Sequence, residues 1–123
     1  MELPDIQYET DDFSDILRKD SRFDSRAYDF VLRVVAEASE AAKGHVSGQE
    51  LLGVFRDLAL DAYGPLAYTV LTDWGLTCCE DVGDVVMNLC KSKRIGRSEQ
   101  DSAADFIGGF DFRTEFLDPY MTM

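Results

Sequence analysis

The sequence predicts a mainly α-helical single domain, residues 1–123, built from about five helices and one small β-hairpin. Four segments repeat apolar residues at helical spacing, and each is bounded by a capping residue or a glycine. A strand signal occurs in only one short stretch. A chain of 123 residues, 46% of them apolar, is long enough to bury one core without a disulfide or a metal.

The first two helices are predicted from apolar spacing. Residues 1–10 are expected to be flexible, and Phe13, Ile16 and Leu17 then follow at i, i+3 and i+4, which predicts a short helix. Residues 27–42 have the strongest periodicity of the chain. Their polar side chains form one stripe, and nearly all the remaining positions are apolar, which is typical of a helix packed on several sides. We therefore expect this segment to be the central helix.

Two further helices are predicted on either side of the Gly-Pro pair at 64–65. Ser47 and Glu50 have the spacing of a capping box, in which each side chain bonds to the other residue's backbone N–H. Gly48, next to this cap, leaves room for another backbone to approach. The helix that starts here ends at the Gly-Pro pair, which also begins the next helix, residues 65–74.

The last predicted helix, residues 78–92, starts at a second capping box formed by Thr77 and Glu80. Residues 94–106 favour a small hairpin, and a single helical turn is the alternative for the second half of that stretch. Three helices followed by a hairpin give residues 47–106 a winged-helix-like layout. In that layout the helix 78–92 occupies the recognition position and the hairpin is the wing.

Several runs of sequence, taken together, resemble a known family. They are residues 45–52 (HVSGQELL), 64–67 (GPLA), 74–75 (WG), 80–83 (EDVG), 88–89 (NL), 101–102 (DS) and 105–106 (DF), with 28–31 (YDFV) upstream and 110–112 (FDF) downstream. In this order and spacing they resemble an uncharacterised family of small acidic proteins found mainly in Planctomycetes and Verrucomicrobia. The resemblance covers most of residues 20–112 and implies a lineage, but it brings no activity, substrate or partner. Cys78 and Cys79 fall outside the pattern, which argues against a chemical role for them.

Charge restricts the classes of partner. The chain has 12 Lys and Arg residues against 24 Asp and Glu residues, a net charge of −12. Such acidity argues against nucleic acid or an anionic membrane as the main partner. No run approaches the length of a membrane span, and the acidic N-terminus does not look like a signal peptide. A cytoplasmic location is therefore expected, where the odd number of cysteines stays reduced.

Few residues are candidates for chemistry. His45 is the single histidine, and it could act as a general base or a metal ligand, or mark the loop before a helix. Cys78 and Cys79 would lie at a helix N-terminus, where an exposed thiol becomes more acidic. The alternative is a pair of half-buried thiols that only pack. Nucleotide-binding and hydrolase motifs are absent from the sequence, so we expect no catalytic, cofactor-binding or metal-binding residues.

The basic residues form one cluster, which has two interpretations. It consists of Lys91, Lys93, Arg94 and Arg97. As a wing-like patch it would contact phosphate or an acidic protein. Alternatively, it closes a helix C-terminus and neutralises nearby carboxylates, for which the candidates are Asp101, Asp105 and Asp111.

The acidic, aromatic tail, residues 108–123, also has two interpretations. Either it folds back over its own domain and buries Phe110 and Phe112, with only the last residues after Pro119 free, or it docks on a partner. Phe116 and Tyr120 are the candidate contacts in the docking interpretation. We predict a non-enzymatic protein-interaction or adaptor module that binds a protein or itself. The alternatives are a winged-helix-like DNA-binding regulator and an enzyme with a site around His45.

Overall fold

The chain folds into α-helices joined by short turns, and the prediction of a mainly helical protein is confirmed. The computed structural model describes residues 13–43, 46–95 and 103–121. Five α-helices lie in these ranges: α1 (Ser14–Lys19), α2 (Ser25–Ala42), α3 (Gly48–Tyr63), α4 (Ala67–Asp73) and α5 (Cys79–Lys91). A 3₁₀ turn, Gly64–Leu66, connects α3 to α4. Three further turns follow α5: a 3₁₀ turn Ala103–Phe106, a π-helical turn Arg113–Leu117 and a 3₁₀ turn Asp118–Tyr120.

The predicted hairpin does not form in the part of the chain that the structure describes, where no β-strand occurs. Lys93 takes a left-handed conformation with φ 67°, and the N–H of Arg94 donates to the carbonyl of Leu89, so the chain turns back on α5. The second half of the stretch forms a helical turn, Ala103–Phe106, because that turn places Phe106 in the core. Residues 96–102 lie outside the described residues.

The core is centred on α2, as predicted. This helix packs against α3 and α5. Asp24 caps its N-terminus by accepting from the N–H of Arg26 at 2.8 Å. Lys43, with φ 58°, terminates it. The predicted polar stripe faces outward, while the buried residues of the helix are Ala27, Tyr28, Phe30, Val31, Val34 and Ala38.

The first predicted capping box forms and the second does not. Ser47 accepts from the N–H of Glu50 at 3.1 Å, and the Glu50 carboxylate accepts from the N–H of Ser47 at 2.9 Å. At the second site, α5 starts one residue later than the box requires, with Cys78 as its N-cap. Asp81 then replaces Glu80 as the carboxylate that reaches back. It accepts from both the N–H and the hydroxyl of Thr77, each at 3.0 Å.

The C-terminal segment, residues 103–121, folds back over the helices and is called the C-terminal strap below. It packs on α3, α4 and α5. Phe106, Phe112 and Phe116 are buried in the common core, and Phe110 is half-buried against it. The self-packing interpretation of the tail is confirmed. Tyr120, after Pro119, remains exposed.

Candidate functional site

Arg94, a member of the predicted basic cluster, is held in an ion pair. Arg94 pairs with Asp15 at the start of α1, with nitrogen–oxygen distances of 2.8 and 3.0 Å. Its guanidinium also lies over the ring of Phe13, 5.3 Å from the ring centroid. Hydrogen bonding to Arg94 lowers the pKa of the Asp15 carboxyl below its ordinary value. Arg94 therefore joins α1 to the end of α5 and neutralises Asp15. Asp101, one of the predicted carboxylates, lies outside the described residues.

The other predicted cations have different environments. Lys91 and Lys93 are exposed at the end of α5, and Arg97 lies outside the described residues. The first half of α5, the helix predicted in the recognition position, carries three carboxylates: Glu80, Asp81 and Asp84. Such negative charge repels a phosphate backbone. Apart from Lys91 at its end, α5 therefore carries no phosphate-binding side chains.

The described residues contain no constellation typical of an enzyme. Within residues 13–43, 46–95 and 103–121, no polar or charged residue is buried and no group of His, Cys, Asp and Glu could hold a metal ion. His45, around which an enzyme site was predicted as an alternative, lies outside these ranges. The described part of the chain therefore gives that alternative no supporting partner groups.

The two adjacent thiols are built into the packing of the strap. Cys79 is buried, and its Sγ lies 3.3 Å from both the N–H and the carbonyl oxygen of Phe110. It accepts from the first and donates to the second. Burial is the main cause that raises the pKa of Cys79, and also of half-buried Cys78. None of the three cysteines forms a disulfide. The thiols are held in the less reactive protonated form, which agrees with the packing interpretation.

Glycines allow the strap to pack closely against α3 and α5. A Cβ added to Gly48 would lie 2.7 Å from the carbonyl oxygen of Asp105, and one added to Gly83 would lie 2.8 Å from the ring of Phe106. In the strap itself, a Cβ on Gly109 would lie 2.8 Å from the Cys79 Sγ. The expectation that Gly48 admits another backbone is confirmed. Side chains at these positions would push the strap away from the helices.

Gln49 fastens the same stretch of the strap. Its side-chain amide donates to the carbonyl oxygens of Asp105 at 2.9 Å and Ile107 at 3.2 Å. The runs 45–52, 80–83 and 105–106, three of those that carry the family resemblance, meet at this contact. The sequence patterns do not indicate Gln49 and Gly83 as partners of the strap. The available signal was Gly83 on the apolar face of a helical pattern, where a glycine often marks close packing.

A cleft lies between the strap and the N-terminus of α5, and we call it the strap cleft. Its volume is about 380 Å³. Two carboxylates, Glu80 and Asp111, belong to its lining. Neither forms an ion pair with a residue in the described part of the chain, although Asp111 accepts from the N–H of Thr114 at 3.0 Å. The residues lining the cleft are Thr77, Cys78, Glu80, Gly108, Gly109, Phe110, Asp111 and Phe112.

A second groove runs between α4 and the start of α2, with a volume of about 640 Å³. The rings of Tyr63 and Trp74, whose centroids lie 5.8 Å apart, line it. Arg26 of α2 approaches Asp73 of α4 to 3.6 Å across this groove and also binds Asp24. The charges at its rim are therefore already paired within the protein.

Among the described residues, four large apolar side chains are exposed: Leu66 (64%), Ile107 (61%), Met121 (57%) and Tyr120 (42%). Three of them belong to the strap. Phe116, predicted with Tyr120 as a partner contact, is instead fully buried at 0% exposure, because its ring packs edge-on against Phe55 at 6.2 Å. Most of the exposed apolar side chains of the described residues therefore belong to the strap, without Phe116, and Leu66 lies outside it.

Among the helices of the described residues, none has both the length and the apolar character to cross a membrane. Comparison of the chain with protein-family models, with curated proteins and with solved structures gives no match.

Proposed function

We propose that the protein is a non-enzymatic interaction module, an adaptor that binds a partner protein through the outer side of its C-terminal strap. The observation that carries this proposal is the exposure of Ile107, Tyr120 and Met121 on a strap whose Phe106, Phe112 and Phe116 are buried. Burying such side chains on a partner gains about 1.5–3 kcal/mol for each. Exposed apolar groups set among charged residues are typical of protein contact surfaces.

Charge supports a partner of a different kind rather than a second copy. Each copy carries a net charge of −12, so two copies repel each other and a basic protein is attracted. The same sign disfavours nucleic acid, which the carboxylates of α5 also repel. In this proposal the protein works in the cytoplasm, which suits three cysteines that form no disulfide. Membership of the small acidic family stays a prediction.

Capture of partners tests the proposal. Full-length protein is immobilised and exposed to cytoplasmic extract from cells that make it. We expect a reproducible protein partner that is released in high salt, where the screening length falls to about 3 Å. Nuclease treatment of the extract serves as the control and should change nothing. A partner lost on nuclease treatment, or salt-sensitive binding of a labelled DNA duplex that Lys91→Glu with Lys93→Glu abolishes, would instead support the DNA-binding alternative.

A further inference from the structure

The strap cleft combines apolar surface with rigid backbone. Ile107 is 61% exposed and directly precedes Gly108, which lines the cleft. The half-buried ring of Phe110 forms part of the wall, and one of its faces stacks on Phe112 with centroids 5.7 Å apart. Gln49 holds the backbone before the two glycines, and Cys79 holds it after them. A surface fixed in this way loses little conformational entropy when it is covered.

The carboxylates of the cleft lack the arginine partners that several other carboxylates have. Asp15, Asp20 and Asp24 each bind an arginine. Glu80 and Asp111 have no cationic partner among residues 13–43, 46–95 and 103–121. Both carboxylates line the strap cleft, and the charge of each adds to burial in raising the pKa of the Cys79 thiol. Two negative charges therefore lie at one cleft whose lining also includes Phe110 and Phe112.

We infer that the strap cleft binds a segment of the partner protein in which a lysine or arginine stands next to an apolar side chain. The cation lies between Glu80 and Asp111, and the apolar side chain covers Ile107. The ring of Phe110 adds a favourable wall for a cation. This inference rests on the proposed function and names the chemistry of its partner. The groove lined by Trp74 does not favour a cationic side chain in the same way, because Arg26 is already paired with Asp24 and Asp73.

A small probe tests the cleft directly. The backbone amide NMR signals of the full-length protein are followed while N-acetyl-leucyl-arginine amide is added. We expect saturable shifts at Glu80, Phe110, Asp111 and the two glycines between Ile107 and Phe110. N-acetyl-leucyl-glutamate amide should give no saturable shifts, and N-acetyl-glycyl-arginine amide should bind more weakly. Absence of saturable shifts in the cleft, or equal binding of the glutamate compound, would overturn the inference.

Matched charge variants distinguish binding at the strap cleft from a general attraction of cations to the acidic protein. Glu80→Gln with Asp111→Asn keeps the shapes of both side chains, and asparagine still accepts from the N–H of Thr114. We expect the Kd for the leucyl-arginine probe to rise about fivefold, as for the loss of two surface ion pairs. Asp29→Asn with Glu37→Gln removes two exposed charges from α2 and should leave the Kd unchanged. Equal weakening by both pairs of substitutions would show that only net charge matters.

Removal of the apolar contact with Ile107 is an independent test of the inference. Ile107→Ser should abolish the advantage of the leucyl probe over the glycyl probe while leaving the charge preference intact. With a captured partner in hand, the same variants distinguish two failures. A partner that binds Glu80→Gln with Asp111→Asn and Ile107→Ser as tightly as the natural protein would refute the cleft and leave the proposed function standing. No captured partner would refute the proposed function itself.

Discussion

Single glycines carry much of the packing between strap and helices, and Gly83 gives the sharpest prediction. Gly83→Ala puts a Cβ 2.8–2.9 Å from three atoms of Phe106, where a real Cβ is essentially never found. We expect the free energy of unfolding to fall by about 1–3 kcal/mol, as for other overpacked core positions. Chemical denaturation of the full-length variant measures this.

Gly53 in the middle of α3 provides the matched control. A Cβ added there meets nothing within 4 Å. Since alanine is a better helix former than glycine, Gly53→Ala should stabilise the protein by about 0.5–1 kcal/mol. If Gly83→Ala is as harmless as Gly53→Ala, then Phe106 does not occupy the position described above.

Asp24 makes stability depend on pH at the acid end. Hydrogen bonds from the side chain and the backbone N–H of Arg26 lower the pKa of Asp24 from 3.8 to about 2. Because the folded pKa lies below the unfolded one, the ionised carboxylate stabilises the fold above pH 3.8, and this contribution is lost as the pH falls towards about 2. Asp24→Asn keeps a capping oxygen but no longer titrates. In denaturation series at several pH values, the free energy of unfolding of the variant should fall less than that of the natural protein over this window. An equal fall for both proteins would contradict the lowered pKa of Asp24.

At the scale of the element, the N-terminus of α3 depends on its capping box. Ser47→Ala removes the acceptor of the Glu50 N–H, which lies 3.1 Å away, and should lower the free energy of unfolding by about 1 kcal/mol. Ser47→Asp keeps an acceptor and serves as the control in the same urea titrations. Equal stabilities for Ser47→Ala and Ser47→Asp would mean that the cap contributes nothing.

Helices were predictable where neighbouring residues decide the structure. The apolar spacing and the caps of α2 and α3 depend on side chains within four residues of each other, and both helices form as predicted. The predicted hairpin does not form in the described residues, because a contact between residues far apart in the sequence determines the structure there. Phe106 meets Gly83, which lies on another helix, and a helical turn satisfies that contact better than a strand does. The second capping box does not form because α5 begins one residue later than predicted. Asp81, rather than Glu80, therefore reaches back to Thr77.

At the scale of the whole molecule, the strap completes the core and creates the candidate site. The sequence showed that the tail is too apolar to stay in water, and self-packing followed from that. The predicted burial of Phe112 is confirmed, whereas Phe116, which the docking interpretation offered with Tyr120 as a partner contact, is fully buried. The strap cleft could not be predicted, because Glu80 and Asp111 are brought together only when the strap crosses the N-terminus of α5.

Arg94 illustrates the same limit for the basic cluster. Its position in the sequence gave no indication of Asp15 as a partner, since the two residues are 79 positions apart in the chain. With Arg94 engaged there, the exposed cations of this region reduce to Lys91 and Lys93 in the described part of the chain. The balance of surface charge therefore favours basic partners over phosphate.

The packed strap is the central claim, and the stability of one pair of full-length variants tests it most directly. Phe116 is fully buried and Tyr120 is 42% exposed, although only four residues separate them in the chain. Phe116→Ala should lower the free energy of unfolding by about 3–5 kcal/mol, as truncation of a buried aromatic side chain does. Tyr120→Ala should change it by no more than about 0.5 kcal/mol. Equal and small effects of the two substitutions would show that the strap is not part of the core.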